Sequence, residues 1–250
     1  MTPFDLTGRV ALVTGGNGGI GLGMAQGLAA AGARVLVVGR DATKNAAALA
    51  ALGDDHAAFA ADVTQESDCA AAVAEAEHRF GRLDILVNNA GTNRRIRPET
   101  LTPEDWHHVL DTNLTSAHLM CRAAFPLLAR RGGKVVNIGS MMSLFGVPFS
   151  AAYAASKGGI VQYTRVLATA WAEHNIQANA VLPGWIDTAL TRGARRDIAD
   201  LHDRVLARTP AKRWGTPGDM AGIAVFLGSP ASDFVTGTAI PVDGGYSVQG

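Results

Sequence analysis

The chain has 250 residues, 48% of them hydrophobic and 18% charged, with 22 basic side chains balancing 22 acidic ones. That neutrality gives no electrostatic reason to expect nucleic acid or an anionic membrane as a partner. Cys69 and Cys121 are too few for a disulfide framework, so a reducing, cytoplasmic setting is expected, and a chain this long can bury its core without covalent staples.

The opening Met-Thr-Pro-Phe-Asp-Leu carries no basic residue ahead of an apolar run and does not read as a signal peptide. Residues 10–33 contain no acid, lysine or arginine and could cover a bilayer, but glycines, Asn17 and Gln26 divide them into a strand before Gly15 and a helix after Gly19. No membrane span is therefore expected. Apolar runs at 10–13, 34–38, 57–61, 85–87, 134–138, 176–182 and 238–242 predict strands, several continuous enough to be buried on both faces. Between them, 21–31, 43–52, 66–80, 106–129, 151–174 and 219–227 predict helices, many rich in alanine. Such alternation implies an α/β fold: a three-layer, doubly wound parallel sheet of about seven strands with helices on both faces. No linker, charge block or repeat divides the chain, so one domain is expected over 1–250. The charged stretch 187–213 breaks the rhythm and is expected to form helices outside the sheet.

The first strand runs into Thr14-Gly15-Gly16-Asn17-Gly18-Gly19-Ile20-Gly21, and a helix follows. A pyrophosphate needs backbone N–H groups aimed at it and no side chains in the way, and a helix N-terminus adds partial positive charge. Gly15 permits the sharp turn, Gly19 lets the backbone approach the phosphates, and Gly21 lets the helix pack close to the sheet. With a strand before and a helix after, a dinucleotide cradle outweighs a merely flexible turn. The second strand ends in Val38-Gly39-Arg40-Asp41. Gly39 offers no carboxylate to a ribose 2′-hydroxyl, whereas the Arg40 guanidinium suits a 2′-phosphate, so NADP(H) is favoured over NAD(H). Asp41 reads as a helix cap.

Tyr153 and Lys157 stand four apart at the start of a helical pattern, on one face. An ammonium beside a phenol is expected to lower its pKa from about 10 toward working pH, which suits a general acid or base. Ser140 follows the fifth strand, Asn88-Asn89-Ala90-Gly91 closes the fourth, and Asn113 lies inside a helix; open α/β sheets bind ligands at strand C-terminal ends. No His-x-x-x-His or Cys-x-x-Cys occurs, so no metal is expected, and no Gly-x-Ser-x-Gly points to a hydrolase.

Together with Asp62-Val63, Pro183-Gly184 and the closing Val242-Asp243-Gly244-Gly245, these motifs span nearly the whole chain, which resembles the classical short-chain dehydrogenases/reductases and their Rossmann fold. The resemblance implies a catalytic tetrad. Tyr153 would exchange a proton with the substrate oxygen and Ser140 would orient that oxygen. Lys157 would hold the nicotinamide ribose and tune Tyr153, and Asn113 would position a water linking Lys157 to solvent. It also implies a cofactor wall of Gly15, Asn17, Gly18, Gly19, Ile20, Gly21 and Arg40, with Asp62 and Val63 at the adenine. Asn89 would lie at the adenine-side ribose, Pro183 and Gly184 at the nicotinamide and Thr188 at its carboxamide or a phosphate, with Ala90, Gly91 and Ile186 also against the cofactor. A homotetramer is implied as well.

Within the family, the chain is most similar to 2-dehydro-3-deoxy-D-gluconate, 2-deoxy-D-gluconate and gluconate 5-dehydrogenases. The residues suggesting it are Arg94-Arg95, Ser140-Met141-Met142-Ser143 and Pro210-Ala211-Lys212-Arg213-Trp214-Gly215. Arg94 and Arg95 could bind a carboxylate bidentately, or could equally be surface charges. Met142, Leu144, Phe145, Val147, Phe149 and Trp185 are expected to wall the substrate site, with 187–213 as a lid. That apolar wall keeps a 3-oxoacyl-carrier-protein reductase or a broad ketone reductase open as alternatives, and a non-catalytic dinucleotide-binding regulator remains the rival of another class.

Overall fold

The computed structural model describes residues 2–250. Its centre is a seven-stranded parallel sheet: β1 (Val10–Thr14), β2 (Arg34–Gly39), β3 (Ala57–Ala60), β4 (Ile85–Asn88), β5 (Gly133–Ile138), β6 (Ile176–Pro183) and β7 (Ala239–Val242). The strand order is β3-β2-β1-β4-β5-β6-β7, and every pairing is parallel. Strands β1, β4 and β6 are buried along their whole length, which explains their unbroken apolar runs.

One face of the sheet is covered by α1 (Gly19–Ala30), α2 (Ala42–Leu52) and α9 (Ala221–Gly228), through Met24, Ala25, Leu28, Ala48, Ala224 and Leu227. The other is covered by α3 (Glu66–Phe80), α5 (Ser116–Leu128) and α6 (Ala151–Ala170), through Cys69, Val73, Met120, Cys121, Leu128 and Leu167. The doubly wound architecture expected from the alternation is the one found. Strand order reverses between β1 and β4, and the crevice at their C-terminal ends is where such sheets take ligands.

One segment differs from expectation. The helix predicted over 106–129 begins earlier, as α4 (Pro103–Leu110), and passes through a π-helical turn at Asp111–Thr115 before continuing as α5. The start was encoded: the Thr102 hydroxyl accepts the Asp105 N–H at 3.1 Å, and Pro103 takes the first helical position, where no N–H is needed. Wide turns of this kind cluster at functional sites, and this one carries Asn113. The segment 187–213 forms helices outside the sheet, as expected: α7 (Ala189–Asp197) and α8 (Leu201–Arg208) pack Ala194, Leu201 and Val205 around Trp214.

Candidate active site

A cleft of ≈ 1390 Å³ runs along the C-terminal ends of the strands, from Arg40 and Asp62 at one end to α7 and α8 at the other. Its floor is fixed by the Thr14 hydroxyl, which accepts the N–H groups of Asn89 (3.0 Å) and Ala90 (3.1 Å), while the Asn89 amide donates to the carbonyls of Thr14 (3.0 Å) and Gly15 (3.2 Å). The two strands at the switch point are thus tied together where a ligand would rest.

Gly15 has φ +61°, a left-handed conformation that side chains resist, and a Cβ there would lie 2.9 Å from the Asn89 amide nitrogen. Gly21 does not border the cleft; it lies beneath the loop, where a Cβ would come within 2.3 Å of the Gly15 carbonyl oxygen. Its role is helix-to-sheet packing rather than ligand contact. The first helix opens at Gly18 with no side-chain cap, and nothing lies within 4 Å of the space beside Gly18, so the unpaired N–H groups of that turn are left for an anion. Gly15, Asn17, Gly18, Gly19 and Ile20 all border the cleft.

Lys157 is buried, and its ammonium donates to the Ile138 carbonyl at 2.7 Å, its one hydrogen-bond acceptor. Its remaining donors suit ribose hydroxyls, so a nicotinamide dinucleotide fits the cradle and this cation together. Burial depresses the Lys157 pKa to about 8. Burial also pushes the Tyr153 phenol up, with the Ser140 hydroxyl and the Arg95 charge pulling the other way. The Lys157 nitrogen lies 5.7 Å from the Tyr153 ring centroid. The expectation that lysine already lowers the phenol's pKa is therefore corrected for the free protein: desolvation dominates, and Arg95 is the cation acting on Tyr153.

Ser140, Tyr153 and Lys157 border the same cleft. Ser140 caps the tight turn Met141–Ser143 by accepting the Met142 N–H at 3.1 Å. The Ser143 hydroxyl accepts the Ser140 N–H (3.1 Å) and donates to the Lys157 carbonyl (2.6 Å), locking the Ser140 turn to α6. Asn113 does not border the cleft. Its side chain is spent on the Thr92 N–H (2.7 Å), the Thr92 carbonyl (3.0 Å) and the Ser156 hydroxyl (3.0 Å), and Ser156 donates to the Tyr153 carbonyl at 2.7 Å. Its amide therefore braces the Tyr153 turn through Ser156.

At the far end, Arg40 is exposed and 3.7 Å from the Asp62 carboxylate, an exposed and weak pair. Burial raises the Asp62 pKa, but hydrogen bonds from Thr64 and the Arg40 charge outweigh it and hold the group ionised. Asp41 is the cap foreseen, accepting the Lys44 N–H at 3.1 Å. A Cβ at Gly39 would come within 2.3 Å of the Asn17 amide nitrogen, so a side chain there would have to displace the Asn17 amide. Val63, Ala90, Gly91, Pro183, Gly184, Ile186 and Thr188 also border the cleft, and Thr188 caps α7 by accepting the Thr191 N–H.

The substrate-side expectations divide. Met142, Val147, Phe149, Trp185 and Arg95 border the cleft. Arg94 does not: it turns to the surface and pairs with Asp105 at 3.5 Å. Phe145 sits behind the lining, against Arg208 and Tyr246, and Leu144 is exposed. Arg95 itself is committed to the outer helices, donating to the Leu190 carbonyl (3.1 Å) and Asp197 (3.4 Å). Sequence reasoning missed Asn93, whose buried Oδ1 has no partner, and Arg204, Arg208 and Tyr246. Only the charge density of 187–213 pointed toward the arginines.

Comparison with known proteins agrees with this geometry. A family model described as enoyl-(acyl carrier protein) reductase matches residues 15–247. A 2-dehydro-3-deoxy-D-gluconate 5-dehydrogenase of Formosa agariphila is 41% identical over 97% of this chain and 94% of its own length. A gluconate 5-dehydrogenase of Gluconobacter oxydans is 40% identical over 98% and 97%. Among solved structures, a gluconate 5-dehydrogenase from Burkholderia cenocepacia in complex with NADP and tartrate superposes with a TM-score of 0.93, at 40% identity and with 98% of each chain covered.

Proposed function

Starting from the fact that this chain belongs to the short-chain dehydrogenase/reductase family, we propose that it interconverts a secondary hydroxyl and a ketone on a sugar acid, with NADP(H) as the preferred dinucleotide. The observation that carries the reading is the convergence of Tyr153, Ser140 and Lys157 on one cleft that also holds an uncapped glycine-rich helix start. The dinucleotide, when bound, supplies the hydride donor or acceptor. Tyr153 gives its proton to the forming alkoxide in reduction, or takes it from the hydroxyl in oxidation. Ser140 donates to that same oxygen and fixes its place, and the Lys157 ammonium holds the ribose.

NADP(H) is supported by Arg40 at the open end of the cleft and by Gly39, which puts no carboxylate there to meet a ribose 2′-hydroxyl. The sugar-acid reading is supported by the names of relatives about 40% identical over nearly their full lengths. We place the enzyme in the cytoplasm, in keeping with its two buried free cysteines. A homotetramer is what the family resemblance implies; a monomer in light scattering would rule it out. The test of function is NADPH oxidation against 5-keto-D-gluconate, 2-dehydro-3-deoxy-D-gluconate, acetoacetyl thioesters and simple ketones. Turnover of the sugar acids ahead of the others is expected; turnover of thioesters alone would overturn the reading.

A further inference from the structure

Of the guanidinium groups bordering the cleft at its α7–α8 end, three are already engaged. Arg95 donates to Leu190 and Asp197, Arg192 pairs with Asp187, and Arg204 reaches the Ala199 carbonyl. Arg208 is different. Its guanidinium lies 4.8 Å from the Phe145 ring centroid and 4.4 Å from the Tyr246 ring centroid, and it has neither a hydrogen-bond acceptor nor an acidic partner among the described residues. The two rings stand edge to face, 6.5 Å apart. These cation–π contacts place the guanidinium between the rings without giving any of its N–H groups an oxygen acceptor, so those donors remain for a carboxylate.

Position decides which end of a ligand Arg208 meets. Phe145 belongs to the turn that Ser140 caps, and its N–H donates to the Met141 carbonyl at 2.9 Å. Arg208 therefore sits at the Ser140 end of the cleft, away from Arg40 and the glycine-rich loop. We infer that Arg208, held by Phe145 and Tyr246, is the specificity residue that takes the substrate's carboxylate, in place of Arg94 or Arg95. The inference rests on the sugar-acid reading above and names the group that would enforce it. A guanidinium with no internal counter-ion, held between two rings, gives a carboxylate a partner that need not first be released from another acid.

A charge series at this position separates recognition from packing, because every replacement loses the guanidinium's contacts with the two rings. KM and kcat for 5-keto-D-gluconate with NADPH are measured for the wild type and for R208K, R208Q and R208E, alongside the KM for NADPH and the melting temperature. Loss of a charge-assisted contact is expected to raise the sugar-acid KM of R208Q about 30-fold. R208K should fall between R208Q and wild type, and R208E should be worse than R208Q, with kcat, the NADPH KM and the melting temperature little changed. Equal losses in all three variants, or a sugar-acid KM in R208Q within about three-fold of wild type, would assign Arg208 to packing and overturn the inference while leaving the sugar-acid reading intact. A wild-type enzyme that turns over no polyhydroxy keto acid would overturn that reading and this inference together.

Discussion

Lys157 and Tyr153 share a helix face, yet the ammonium lies 5.7 Å from the phenol ring's centroid and gives its hydrogen bond to the Ile138 carbonyl instead. The cation is thereby stored at the cleft, desolvated and short of acceptors, in a protein that gains nothing in stability from having it there.

That storage has a measurable cost. The folded-state pKa of Lys157 is about 8 against an ordinary 10.5, so the unfolded chain binds more protons between those values and stability rises with pH across that window. Below about pH 8 the full penalty is present, on the order of 3 kcal/mol from the shift. Lys157→Met is expected to be more stable than wild type at pH 7 by about 1–3 kcal/mol in urea unfolding, with the gap more than halved by about pH 9.5, and to be nearly inactive. A variant less stable than wild type at pH 7 would contradict this.

The glycine-rich loop should divide into positions that serve folding and positions that serve binding. Gly21→Ala would press a methyl into the Gly15 carbonyl and the Asn89 amide, so both the melting temperature and dinucleotide affinity should fall, the affinity about ten-fold or more. Gly18 has extended backbone and open space. Gly18→Ala should melt within about 2 °C of wild type and still lose affinity, because its methyl projects where phosphates bind. Thermal melts and dinucleotide titrations check the pair.

We propose that Arg40, paired loosely with Asp62 at the open end of the cleft, gives the preference for NADPH over NADH. Removing the guanidinium in Arg40→Ala should cut kcat/KM for NADPH about 10–100-fold, since a phosphate contact is charge-assisted, while leaving NADH within about two-fold. Equal effects on both dinucleotides would show that Arg40 serves some other purpose.

Much of this was readable in the chain, for identifiable reasons. Buried strands such as Val10–Thr14 and Ile176–Pro183 are apolar without interruption, and Asp41 caps α2 through its own local hydrogen bond, so both leave short-range signatures. The Thr102-Pro103-Glu104-Asp105 start of α4 was equally local and could have been read. What stayed hidden is tertiary. Nothing in the order of residues says that Arg94 will find Asp105, that Arg95 will be spent on Asp197, or that Arg208 will be held between rings 63 residues before it and 38 after it in the sequence. The π-helical turn around Asn113 is hidden for the same reason: its pattern of apolar residues is that of an ordinary helix, and the side chain's hold on Thr92 and Ser156 crosses elements.

The central claim is that the Tyr153 hydroxyl carries the proton in the reacting step. Single-turnover oxidation of bound NADPH by 5-keto-D-gluconate tests it most directly in Tyr153→Phe, which keeps the ring and removes only the oxygen. A hydride step slowed by about 10²–10⁴-fold with an unchanged NADPH Kd is expected. Hydride transfer at the wild-type rate in that variant would contradict the claim.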